Sequence, residues 1–144
     1  MRLLLLTAAW LGGSDGLTVG VSDTHPGVRP VALKVKFGSQ LQCGHVVGPP
    51  LAITLPSAER MPRTVSPNAV LVNGKPSASV TLSGHLLTIR TARPQVLCDV
   101  IGPGTVAIAL TRTANLGNPA HAGTYRVSVR RGTQTVSGTF AIHK

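Results

Sequence analysis

Acidic residues are scarce in this chain: four Asp+Glu among 144 residues, against 14 Lys+Arg, for a formal net charge of +10. Acid–base and nucleophilic enzymes need positioned carboxylates or a nucleophile beside a base. Asp15, Asp23, Glu59 and Asp99 are scattered with no local pairing motif. A glycosidase's two carboxylates would have to be assembled from these four, and no Gly-x-Ser-x-Gly elbow offers a serine nucleophile. The chain therefore reads as a non-enzyme. Aromatic residues are only 3%, and Phe37, Tyr125 and Phe140 share the parity of core positions. Single-stranded nucleic acid needs stacking platforms, so it is not an expected partner. Two cysteines without Cys-x-x-Cys spacing exclude a zinc knuckle and a dithiol redox motif. The five histidines form no His-x-His or His-x-x-x-His pair, and no carboxylate-rich loop is present, so neither metal nor cofactor is expected. Long apolar runs are missing as well. The longest, Leu3–Leu11, covers about nine residues where a spanning helix needs ~20, so no membrane span is expected.

What the chain has in quantity is Val (17), Thr (15) and Gly plus Pro (27 together). This is the composition of short strands joined by tight turns. With 42% hydrophobic residues, one packed domain is within reach. The N-terminus has the order of an export signal: Arg2, the apolar run from Leu3, then Gly12, Gly13 and Ser14 as small residues for cleavage. Residues 1–16 are accordingly read as a signal peptide and 17–144 as the mature domain, extracellular or in the cell envelope. Cleavage removes Trp10 and, with Arg2 and Asp15 cancelling, leaves the charge at +10. In an exported chain Cys43 and Cys98 are expected to form a disulfide, stabilising by about 4 kcal/mol on the chain-entropy account.

Apolar residues alternate at period two from Leu17 onward. Val31, Leu33, Val35 and Phe37 point one way while Lys34 and Lys36 point the other. The pattern recurs at Leu51/Ile53/Leu55, Val70/Val72, Val80/Leu82, Leu87/Ile89 and Val106/Ile108/Leu110. It closes with Tyr125/Val127/Val129 and Val136/Phe140/Ile142. Each run reads as a half-buried strand with one wet face. Asn73-Gly74, Ser83-Gly84, Gly102-Pro103-Gly104, Asn118-Pro119 and Arg131-Gly132 punctuate the runs. Ser83-Gly84 and the stretch from Arg131 to Gln134 read as hairpins. Pro56–Pro67 holds three prolines and reads as a loop with a short turn near Ser57–Arg60. The expected fold is all-β, an antiparallel sandwich of about 7–9 short strands.

Tyr125 opens a strand, where its ring can be buried and its hydroxyl returned to nearby backbone, or simply packed in the core. Both roles are structural. Lys34, Lys36, Arg126 and Arg130 lie on outward faces and are the candidate contacts for a polyanion. The competing reading is that this charge keeps the domain soluble and covers sheet edges.

The order Leu51–Pro56, Met61-Pro62, Val70–Gly74, Asn118-Pro119 and Ala122–Tyr125 resembles an immunoglobulin-like module of bacterial exported and cell-envelope proteins, S-layer-associated chains included. The resemblance spans roughly Leu17 to His143. It implies a β-sandwich used as a spacer, display or adhesion unit, with no catalytic residues to carry over. The chain departs from that pattern in being a single, strongly basic copy with two cysteines. The function expected is a structural or adhesive module, with acidic envelope polymers or surface proteins as partners. The loops around His25, Gly44–Pro50 and Leu116–His121 are its expected contact regions. The alternative is a self-assembling fibre subunit that donates Leu17–Ser22 to a neighbour's sheet.

Overall fold

A computed structural model describes residues 16–39, 50–91 and 104–144. The expected signal segment up to Asp15, both cysteines and the 44–49 part of one expected contact loop lie outside the described residues. Gly16, the last residue of that signal reading, bridges Ser137 and so belongs to the folded body.

Ten strands form two antiparallel five-stranded sheets among the described residues. Sheet I has the order β1 (Thr18–Val21), β2 (Leu33–Ser39), β8 (Gly104–Leu110), β4 (Val70–Val72), β5 (Lys75–Pro76). Sheet II has the order β10 (Gln134–Ile142), β9 (Gly123–Arg131), β3 (Leu51–Thr54), β7 (Leu86–Arg90), β6 (Ser79–Ser83). The expected all-β sandwich is the fold. Every alternating run supplies its apolar set to the space between the sheets: Leu33, Val35, Phe37, Val106 and Ile108 from sheet I, and Leu51, Ile53, Leu87, Ile89, Val127 and Val129 from sheet II, are all buried. Each such side chain contributes about 1.5–3 kcal/mol of burial. Register makes the alternation self-consistent, since a slip of one residue would put Lys34 and Lys36 inside. The pairing Val35↔Ile108 and Val35↔Val19 holds the two neighbours of β2 in step.

Turn chemistry sets the hairpins. Asn73 (φ 49) and Gly74 (φ 84) join β4 to β5 with both central residues left-handed, which is what a two-residue turn between right-twisted strands requires. The β6–β7 turn falls on Gly84 and His85, one residue beyond the Ser83-Gly84 expected, because Ser83 is already paired with Leu86. The Pro56–Pro67 loop ends in a 3-10 turn at Pro67–Ala69, where the Ser66 hydroxyl accepts from the Asn68 N–H at 3.3 Å.

Two contacts tie the sheets together along one side. Gly16 bridges Ser137 in parallel, and Leu17 crosses over β10 at Gly138, where any Cβ would collide with the Leu17 carbonyl oxygen. Gly138 is therefore a backbone crossing point. The strand proposed as a donor, β1, is held in its own chain by four paired residues on β2.

Candidate functional surfaces

The register places the four cations singled out in the sequence on two opposite outer faces. Lys34 and Lys36 project from β2 on sheet I, about 7 Å apart at two residues' rise. Arg126 and Arg130 project from β9 on sheet II, about 13 Å apart. Sheets in a sandwich stack ~10 Å apart, so these are two basic faces and no straight polymer segment touches all four residues.

Sheet II's outer face is built almost entirely from hydroxyls and arginine. β10 presents Thr135, Ser137 and Thr139; β9 presents Thr124, Arg126, Ser128 and Arg130. β3 adds Ala52 and Thr54, β7 adds Leu86, Thr88 and Arg90, and β6 adds Ser79, Thr81 and Ser83. Cross-strand pairing runs Thr135–Arg130–Ala52–Thr88–Thr81 as one continuous row. Among the described residues no carboxylate stands on this face. Arg126 is steadied by its Nη1, which donates to the Ser137 hydroxyl at 2.8 Å. Arg90 joins Arg126 and Arg130 here. Its parity opposite Leu87 and Ile89 shows in the sequence, but its place in the same sheet as β9 needs the pairing of β3 with both.

Sheet I's outer face is different. One row runs Gly20–Lys34–Ala109–Leu71–Pro76, so small and apolar residues flank the lysine. At the end where β1 and β8 finish, this face carries a groove of about 590 Å³ whose lining includes Gly20, Ala32, Lys34, Ala109 and Arg112.

The two ends of the sandwich hold the remaining polar chemistry. At the end bearing the His25 and Leu116–His121 loops, Asn118 is fully buried and its amide donates to the carbonyls of Asp23 (2.7 Å) and His25 (2.8 Å). These loops are thus pinned to one another. The Asp23 carboxylate accepts from the backbone N–H of His25 at 2.9 Å and lies 2.7 Å from its ring Nδ1; these bonds hold the carboxyl below its ordinary range. The Tyr125 hydroxyl donates to the His121 carbonyl at 2.7 Å, with its ring 5.9 Å from that of Phe140, an anchor for the loop before β9.

Two interior charges escaped the sequence reading. Glu59 is 3% exposed with neither carboxylate oxygen partnered, and burial pushes it up to about 7. It sits in the loop after β3, where the His85 ring meets its carbonyl at 3.0 Å. Arg131, the last residue of β9 and equally buried, leaves Nε and Nη1 without partners, and desolvation lowers its pKa. Its parity with Val127 and Val129 was the signal available. Among the described residues no group of three or more His, Cys, Asp or Glu could hold a metal ion, and no helix is long and apolar enough to cross a membrane.

No protein-family model matches the chain, and no curated protein matches its sequence. Solved structures do match its fold. The crystal structure of BslA, a bacterial hydrophobin, superposes with a TM-score of 0.59 at 15% identity, covering 88% of this chain and 96% of that one. BcpA, the major pilin subunit of Bacillus cereus, gives 0.58 at 7% identity, with 88% of this chain and 39% of the pilin covered. The N-terminal domain of the Streptococcus gordonii adhesin Sgo0707 gives 0.54 at 9% identity, with 89% and 32% covered. The chain thus spans about a third of the pilin and adhesin chains it matches. At these identities the shared property is the sandwich itself.

Proposed function

We propose that this protein is an exported, non-enzymatic module of the bacterial cell surface that attaches to acidic polymers through the outer face of sheet II. The observation that carries the reading is the joint presence of Arg90, Arg126 and Arg130 on one face that holds no carboxylate among the described residues. Guanidinium groups bind phosphate and carboxylate in a planar, two-pronged way. The surrounding hydroxyls add neutral donors and acceptors for a hydroxylated polymer. The sandwich folds shared with a hydrophobin, a pilin subunit and an adhesin domain support a surface role over catalysis. Export and a Cys43–Cys98 bridge belong to the same proposal, and a mass measured on the secreted protein with and without reductant tests both.

Binding to an immobilised acidic polysaccharide and to polyphosphate, measured across a salt series, tests the attachment. Replacing Arg90, Arg126 and Arg130 with Ser should weaken binding at least about tenfold and flatten its salt dependence. Equal loss on replacing Lys34 and Lys36 instead would make the attraction a property of overall charge and overturn the assignment to this face.

A second reading, self-assembly by donation of residues 17–22, draws on β1 being a four-residue edge strand whose side chains alternate between exposed and half-buried. Donation requires β1 to leave β2 and Leu17 to leave its crossing at Gly138. Electron microscopy separates the two readings, since discrete particles favour attachment and filaments favour donation.

A further inference from the structure

The groove on the outer face of sheet I is absorbed by neither reading. Its floor is small because Gly20, Ala32 and Ala109 sit where the neighbouring strands would ordinarily carry longer side chains. A Cβ placed on Gly20 meets nothing within 4 Å, so the space above it is open. Its volume is about 590 Å³, and it is largely open to solvent.

Two hydroxyls of the lining are already committed. Ser22 and Ala32 are doubly tied, the Ser22 N–H donating to the Ala32 carbonyl and the Ala32 N–H donating to the Ser22 hydroxyl, both at 2.9 Å. The Thr111 hydroxyl donates to the Ala69 carbonyl at 3.1 Å. The Thr113 hydroxyl and two cations remain free. Lys34 stands beside Gly20 and Ala109 in register with no salt bridge among the described residues, and Arg112 belongs to the groove's lining. Neither Lys34 nor Arg112 makes a salt bridge, and no carboxylate lines the groove, among the described residues.

An apolar trough with cations standing in it complements a molecule that joins an apolar chain to an anionic head. We propose that this groove binds a single-chain fatty carboxylate, its acyl chain lying over Gly20, Ala32 and Ala109 and its carboxylate on the Lys34 ammonium. This site is independent of the polyanion face, which lies on the opposite sheet.

Titration of the intact protein with dodecanoate, kept below its micelle-forming concentration, tests the proposal by calorimetry and by amide shift mapping. Saturable binding is expected, with shifts concentrated at Gly20, Ala32, Lys34 and Ala109. Gly20→Leu and Ala109→Trp, both on the outer face, should each weaken binding at least tenfold. Two separate fillings guard against one of them unfolding the domain. Lys34→Glu should lower affinity for dodecanoate at least tenfold while leaving dodecanol binding within about twofold. The Arg90/Arg126/Arg130→Ser variant should bind dodecanoate as the parent does, which separates failure here from failure of the polymer reading. Shifts mapping elsewhere, unchanged affinity in both filled variants, or a dimer that those variants abolish would each overturn the assignment, the last by making a second copy the occupant.

Discussion

On sheet I the residues facing inward are Val35, Phe37, Val72, Val106 and Ile108, and on sheet II they are Ile53, Leu87, Ile89, Val127 and Val129. Either set could serve the other sheet, because both answer to the same requirement for close-packed aliphatic volume. Turned outward, the sheets differ more. One presents serine, threonine and three arginines; the other presents glycine, alanine and two lysines around a groove. Packing cannot explain that divergence, since outward residues contribute little to stability. The difference is what the proposed roles of the outer faces draw on, while the interior residues answer to packing.

The strongest way to test this division is to change adjacent residues that belong to opposite sides of one strand. Ile108 on β8 is fully buried, and Ala109 beside it faces out. Ile108→Ala should cost about 4 kcal/mol of unfolding free energy, from lost transfer and the cavity left behind. Ala109→Ser should stay within about 0.5 kcal/mol. Chemical denaturation with matched m-values measures both. Comparable losses from the two would erase the distinction between inner and outer faces.

A smaller effect is expected where the interior breaks its own rule. Glu59 is a buried carboxyl with no partner, and its pKa of about 7 against an ordinary 4.5 means that folding takes up a proton. Its protonated form is compatible with the fold, so stability is highest below pH 4.5, falls as pH rises toward 7, and levels off above. The shift corresponds to about 3 kcal/mol. Glu59→Gln should match the parent at pH 4 and exceed it by up to about 3 kcal/mol at pH 8. Thermal unfolding of the pair across that range isolates Glu59, since every other ionisable group is common to both proteins. A difference that does not change with pH would mean Glu59 is solvated in the folded protein.

The contrast also marks where sequence reasoning succeeds. Period-two alternation gave every long strand and its buried face, because burial in a sandwich depends only on parity. Asn73-Gly74 was legible for an equally local reason, the need for two left-handed residues. Non-local pairing was not legible. Lys34 and Arg126 look alike in sequence, both charged and both outward, and only the strand order assigns them to opposite sheets. Arg90 was readable as exposed but not as sharing a sheet with Arg130, since β3 must first bring β7 and β9 together. The groove depends on Gly20, Lys34 and Ala109 lying side by side across three strands, a juxtaposition that alternation along one strand cannot supply. Glu59 was hidden because the loop after β3 has no periodicity from which to infer burial.

Arg131 is the finest test of the division, because parity alone puts it inside while its chemistry belongs outside. It ends β9 two residues after Val129, and its partners across the strands are Gln134 and Leu51. The aliphatic stem suits that position and the guanidinium does not, since two of its nitrogens are buried without acceptors. An unpartnered buried donor carries its full desolvation cost, ~1–3 kcal/mol. Methionine keeps an unbranched stem of similar reach and carries no charge. Arg131→Met should therefore raise stability by about 1–2 kcal/mol, while Arg130→Met, one residue earlier on the outer face, should leave it within about 0.5 kcal/mol. Denaturation midpoints of the two variants read the contrast directly. A loss of stability in Arg131→Met would show that the guanidinium holds a bond the fold depends on, and would move this end of the sandwich from the inert interior to the functional surface.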